Sequence, residues 1–506
     1  MMRAIAPVLD ECRAIGNRGY RPTANWVEKQ CGCAYGTATE TMNAKTISRN
    51  TSLERIDPKI AWEAWEPSND EPWTPQRASL LIRRAGFAAT EQELRSALSM
   101  KPDEILSRMI GQAPSATAQR ESFESDSGEL ARSVLASSDM KQLAAWWLYR
   151  MLHSPAPLIE KMTLFWHGHF ATGGEKVLDV ELMHTQNQLL RKNAVGDFRE
   201  LVQGIAKDPA MLIYLDSVSN RKARANENFA RELMELFCLG EGNYTEADVQ
   251  QLAKCFTGWE IRRKQFRFNP YQHDDSKKML LGNGDVESGE NAVECVLASP
   301  HMPRFIVRKL FRFFVSDEGT PTDEFLAPLA NRFTESKYSI EEVVRMILSS
   351  RLLLSEWSVG RKIRSPIELA IGWMRTMQCT TNLSFLGERL RGLGQSIFFP
   401  PNVKGWEGGR AWINSSTLVG RANLIYELIQ QENTRFDGST LASFVEKNQV
   451  KDSVKFLTWF ESQFFAEPLT KNEREQLAQF LSQAKPDEQA KATLIHLASL
   501  PRIHLT

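Results

Sequence analysis

Asn226-Glu-Asn-Phe-Ala-Arg-Glu-Leu-Met-Glu-Leu-Phe237 reads as an amphipathic helix, because Phe229, Leu233, Leu236 and Phe237 recur at the spacing of a 3.6-residue turn. Asn228, Glu232 and Glu235 fall at i, i+4 and i+7 and form a separate polar stripe, with Arg231 one turn from Glu235. The same helical grammar recurs on both sides of this stretch. Upstream, Thr74-Pro75 supplies an N-cap with proline at the first helical position, Thr90-Glu-Gln-Glu93 is a capping box, and Leu143, Trp147 and Met151 repeat every four residues. Downstream, Val249, Leu252, Ala253 and Phe256 share a face. Ser365-Pro-Ile-Glu368 opens a helix that buries Ile367, Ala370, Ile371 and Met374, and Thr470-Lys-Asn-Glu473 caps another.

The fold class is therefore mainly α, a multi-helix globular assembly with a small β-hairpin insertion near 265–282. There Phe266 and Phe268 alternate with Arg267, and a short apolar run, Met279-Leu-Leu281, ends at Gly282. No fixed-period repeat suggests a solenoid. Residues 1–70 lack a sustained helical period and read as a poorly ordered leader; 71–506 read as the helical domain, with a separable C-terminal helical part from about 430.

With 506 residues, 42% hydrophobic and 25% charged, the chain has globular composition and ample material for a core. Lys+Arg and Asp+Glu balance at 62 each, so no global field favours nucleic acid or an anionic membrane. Charges interrupt every apolar run before the ~18 residues needed to span a bilayer. The apolar run Ala4–Leu9 is closed by Asp10 and Glu11 before it reaches signal-peptide length, so as written the chain reads as cytoplasmic. Seven scattered cysteines read as reduced thiols.

Candidate chemistry is concentrated between Phe165 and Trp259. His167 and His169 in Phe165-Trp-His-Gly-His-Phe170 point about 200° apart on an α-helix, but can converge on a divalent metal if Gly168 ends the helix; His184 and His273 are further ligands to test. The plainer reading packs one ring among aromatics and bonds the other to backbone carbonyls. Glu232 and Glu235 are suited to acid–base work or hard-metal ligation with Arg231 orienting a carboxylate or anion, against the alternative of a solvated helix face. Asn228, Trp259 and His273, together with Lys404 and Trp406 of the loop Phe399-Pro-Pro-Asn-Val-Lys-Gly-Trp406, are candidate substrate contacts. The stripe Arg304, Arg308, Arg312 reads most simply as a solvated face, with anion binding as the alternative. P-loop, dinucleotide-binding, nucleophile-elbow and His-Glu-x-x-His signatures are absent.

Taken in order, Leu81-Ile-Arg-Arg-Ala-Gly-Phe87, Glu160–Phe170, Asn226–Leu236, Tyr244-Thr-Glu246, Thr257-Gly-Trp259 and Pro400–Trp406 resemble a large bacterial family known as domain of unknown function 1800. The resemblance runs from about Trp73 to the C-terminus and implies no established activity. It implies that many relatives are exported, and that a partner comes from a neighbouring uncharacterised family resembling alkaline phosphatases and sulfatases. This chain differs from the family pattern in lacking a signal peptide and in its leader. Two functions follow: an enzyme with a metal- or carboxylate-assisted site in 165–259, or a non-catalytic helical binding or assembly protein whose polar motifs form a structural network.

Overall fold

The computed structural model describes residues 47–113, 117–450, 452–482, 485 and 488–506. Helices dominate, and the capping signals fall where the sequence places them: Thr74 and Thr90 accept from the third residue of their helices, and Ser365 and Glu368 complete a reciprocal box at the start of Pro366–Thr376. The β structure among the described residues is confined to three two-stranded antiparallel sheets. The expected hairpin is present and doubled. Trp259–Arg262 pairs with Gln265–Phe268, and Lys278–Leu280 pairs with Asn283–Val286, so each strand takes its sequence neighbour as partner.

Side chains bury into two cores. The first gathers Leu81, Trp166, Phe198, Phe237, Leu252, Phe311 and Leu348; the second gathers Trp147, Leu182, Ile371, Trp373, Ile425, Phe460 and Leu497. A fully buried side chain of this size contributes about 1.5–3 kcal/mol, so both cores are substantial. The helices beyond about 430 have no separate core: Phe444, Phe456 and Leu494 pack in the second one with Trp147 and Ile371. At the other end, the leader assigned to 1–70 lies outside the described residues up to 46. From Ile47 onward it is folded. Pro58–Trp62 is helical, and Trp62 and Trp65 are buried in the first core. Two tryptophans three residues apart outweigh the missing periodicity there, because together they bury more area than any short amphipathic run.

The helix Pro157–His169 runs along the seam between the cores, sending Met162 and Trp166 into the first and Leu164 into the second. Charged groups at this seam are satisfied internally. Glu160, fully buried, accepts from Arg150 Nε (2.9 Å), Arg191 Nε (3.0 Å) and Trp147 Nε1 (3.0 Å). Arg84 donates to the carbonyls of Phe314 (2.6 Å), Val315 (2.7 Å), Ser358 (2.7 Å) and Thr506 (2.6 Å), tying three chain segments to one guanidinium. The four described cysteines, Cys238, Cys255, Cys295 and Cys379, are free thiols. Among the described residues no helix is long and apolar enough to cross a membrane.

Candidate functional site

The seam helix does not stop at Gly168; it continues through His169. The two imidazoles therefore stay on different sides of it, and each is held by backbone. His167 Nε2 accepts from the Phe398 amide at 3.2 Å, with its ring against Trp147, Phe398 and Trp406. Burial keeps this ring neutral, with its pKa pushed down to about 3. His169 Nε2 lies 3.0 Å from the Phe237 carbonyl, and Nδ1 lies 3.2 Å from Lys309 Nζ. A carbonyl only accepts, so Nε2 carries the proton and Nδ1 offers its lone pair to Lys309. Burial and the adjacent Lys309 hold this pKa well below the ordinary value. Among the described residues no group of three His, Cys, Asp or Glu stands close enough to hold a metal ion. The convergence required of His167 and His169 fails because a glycine within a helix does not terminate it when the flanking residues, here Trp166 and Phe170, are buried on one side.

The second stretch, Asn226–Phe237, is helical, but it changes its winding. Asn228–Glu232 is α-helical and Leu233–Cys238 is a π-helix. Such wide turns are rare and cluster at functional sites. The carbonyls of Leu236 and Phe237, in the last turn of this π-helix, accept from Lys309 Nζ (2.9 Å) and His169 Nε2. The His-Gly-His helix end and the Asn226–Phe237 helix thus do meet, through backbone carbonyls rather than through Glu232 and Glu235. Glu235 accepts from Tyr244 Oη at 3.1 Å. Glu232 is half-buried outside the cavity described below; burial and Glu235 raise its pKa, while Lys404 and Arg231 act the other way.

The remaining candidates are structural. Arg231 pairs with Glu246 (2.9 Å) and Glu227 (3.3 Å) in a partly exposed network. Asn228 donates its side-chain amide to the Leu215 carbonyl at 3.1 Å. Trp259 is buried against Phe256, Phe266 and Gly289, where any Cβ would collide with the indole. His273 places its two ring nitrogens 2.8 Å from the Thr257 carbonyl and 2.9 Å from the Glu287 carbonyl, pinning the two hairpins together.

Four stretches remote in sequence, the fourth contributing Lys362, Ser365 and Glu368, line a cavity of about 310 Å³ at the seam. Leu164, Phe165, Gly168 and His169 come from the seam helix. Lys309, Arg312 and Phe313 come from the helix His301–Phe314, and Lys404, Trp406 and Trp412 from the loop after Pro400. Gly405, at φ 75°, presses this loop onto the seam helix so closely that a Cβ would run into the Gly168 carbonyl oxygen. The loop leaves the core at Phe398, which sits at φ 65°, an unfavourable conformation for a bulky residue. Two bonds fix it there: its amide to His167, and its carbonyl accepting from Gly174 at 2.8 Å. Of the residues proposed from sequence, His169, Lys404 and Trp406 thus line one cavity, while Glu232, Glu235, Arg231, Asn228, Trp259, His273 and His167 lie outside its lining.

The cavity's charges divide into two kinds. Lys362 pairs with Asp317 at 2.7 Å, and buried Lys161 pairs with Glu368. Burial alone would push the Glu368 carboxyl up, but Lys161 and Lys362 hold it down at about 2. Lys309, half-buried, and Arg312 and Lys404, both exposed, have no carboxylate within ion-pair distance among the described residues, and the exposed Glu407, also in the lining, has no cation within that distance among them. Arg304 and Arg308, by contrast, both reach Asp323, so only the last arginine of that stripe faces the cavity. The Trp406 indole N–H is buried and also has no acceptor among them. Lys309, Arg312, Asp317, Lys362 and Glu368 were not singled out as site residues. A signal existed: Phe305, Lys309, Arg312 and Phe313 share one helical face, a cation set among aromatics within an otherwise apolar stripe.

What fold and site define is a two-core helical protein with a cation-lined cavity where the cores meet. The model of the family described as a protein of unknown function, DUF1800, matches residues 80–502, and the chain belongs to that family. No curated protein and no solved structure matches it.

Proposed function

We propose that this protein binds an acidic ligand, a carboxylate or a phosphate- or sulfate-type ester with an apolar or ring body, in the cavity at the seam. The observation that carries the reading is that Lys309, Arg312 and Lys404 line the cavity without carboxylate partners among the described residues, while the neighbouring Lys161 and Lys362 are paired. Cations without carboxylate partners at the mouth of a cleft attract an anion, and Trp406 and Trp412 offer aromatic surfaces for the rest of the ligand. The indole N–H of Trp406 is a further donor in need of an acceptor. On this reading the polar motifs of 226–259 are the structural network that holds the cavity walls. A partner resembling alkaline phosphatases and sulfatases, as the family resemblance implies, would handle the same class of acidic esters.

Titration calorimetry with inorganic phosphate and phenyl phosphate tests the reading. Phenyl phosphate is expected to bind more tightly than phosphate. The double variant Arg312→Ala, Lys404→Ala is expected to weaken it by roughly 10-fold or more at an unchanged melting temperature, since a hydrogen bond to a charged group contributes about 1.5–3 kcal/mol. Equal affinity in the double variant would sink the assignment of this cavity.

A further inference from the structure

We infer that Lys309 is a reactive amine that condenses reversibly with the carbonyl carbon of an aldehyde or ketone acid held in the cavity, with His169 accepting its proton. The acid group in this ligand class rests on the anion-binding reading; the amine chemistry rests on the surroundings of Lys309 itself.

Lys309 contrasts with the other lysines at the seam. Lys161 and Lys362 each face a carboxylate. The hydrogen-bond partners of Lys309 Nζ are both neutral: the Leu236 carbonyl at 2.9 Å and His169 Nδ1 at 3.2 Å. A neutral amine has two N–H bonds, and these two acceptors account for both, leaving the nitrogen lone pair for the cavity that Lys309 lines. The last turn of the Leu233–Cys238 helix, whose carbonyls have no partner within the helix, supplies the acceptors. It presents two successive carbonyls, one to Lys309 and the next to His169 Nε2, so a single backbone feature orients the amine and fixes the imidazole tautomer with Nδ1 as acceptor. Burial lowers the Lys309 pKa to about 8, with Arg312 acting in the same direction and Cys238 against it, and the Phe305 ring lies 4.7 Å from Nζ. An appreciable fraction of free amine is then present near neutrality.

The step balances without an oxidant or reductant. The amine lone pair forms the C–N bond as the carbonyl π pair moves to oxygen, and the nitrogen proton passes to His169 Nδ1. That proton is delivered to the alkoxide, making the carbinolamine hydroxyl; His169 then relays the second nitrogen proton to this hydroxyl, which leaves as water as the nitrogen lone pair forms the neutral C=N bond. Arg312, one turn further along the helix, and Lys404 at the loop are placed to hold the ligand's acid group.

The test uses the full chain, glyoxylate and cyanoborohydride at pH about 7.5, with peptide mapping by mass spectrometry. The expected result is a reduced adduct on Lys309 formed at least about 10-fold faster than on any other lysine, because a pKa of about 8 gives roughly 100-fold more free amine than an ordinary lysine. His169→Gln should slow labelling and move its pH profile upward. Lys309→Arg should abolish the adduct. Labelling spread over exposed lysines, with Lys309 no faster, overturns the inference even if phenyl phosphate still binds. Selective labelling of Lys309 in a protein that does not bind phenyl phosphate would instead leave the reactive amine standing and remove the anion site.

Discussion

Glu160 and Lys309 are both withdrawn from water beside the Pro157–His169 helix, yet they are built on opposite rules. Glu160 sits between two arginines and a tryptophan N–H, and Arg150 and Arg191 hold its carboxyl below the ordinary range against the opposing effect of burial. It is a closed set, with donors and acceptors matched. Lys309 rests on a carbonyl and an imidazole and borders open volume with Arg312 and Lys404 beside it. The comparison teaches where to look for function in a chain rich in buried charge. A matched cluster specifies packing; an unmatched one beside a cavity has capacity left for a ligand.

Three changes break or sharpen this contrast. The largest effect is expected from Glu160→Ala, which leaves buried Arg191 without a carboxylate and buried Arg150 with Glu124 alone, and should cost about 3–5 kcal/mol in chemical denaturation; a loss below about 1 kcal/mol would place Glu160 outside the matched class.

The next concerns His167, which belongs to the matched class through its bond to Phe398. Its folded pKa, about 3, lies below the unfolded value near 6.5, so between these pH values the unfolded state binds a proton that the folded state excludes. Stability from this ring is complete above pH about 6.5 and is lost as pH falls toward about 3. From pH 7 to pH 5 the wild type should lose about 2 kcal/mol more than His167→Gln, read from urea midpoints at each pH. Parallel pH profiles for the two proteins would show that the ring does not titrate in this way.

The smallest effect is expected from Arg231→Ala. Its ion pairs with Glu227 and Glu246 are substantially solvated, so melting should show a change within about 1 kcal/mol. A loss comparable to that of Glu160→Ala would erase the distinction between buried and surface pairing drawn here.

Much of the local structure was legible because it is written in short-range chemistry. Thr90-Glu-Gln-Glu93, Ser365-Pro-Ile-Glu368 and Thr470-Lys-Asn-Glu473 predict helix starts, and each is a reciprocal capping box in the folded chain. The strand segments around Phe266 and Met279 were legible too, while their partners were not, since alternation identifies a strand and says nothing of what pairs with it. The π-winding of Leu233–Cys238 has no period that separates it from an α-helix over six residues. For the site, residue type was a partial guide. Glu232, Glu235 and Arg231 have the chemistry of a site but lie outside the cavity lining, whereas Lys309 sits beside an arginine stripe on an amphipathic helix and faces the cavity.

The sequence by itself determined that this protein is helical, where many of its helices begin, and that His169, Lys404 and Trp406 deserved scrutiny, because caps, periodicity and turn residues act over a few positions. Only the tertiary structure decided which charges are matched. That is a matter of partners such as Lys161 with Glu368, 207 residues apart, and of the cavity they leave beside Lys309. Pairing across such distances is set by how the two cores meet, which no local pattern encodes.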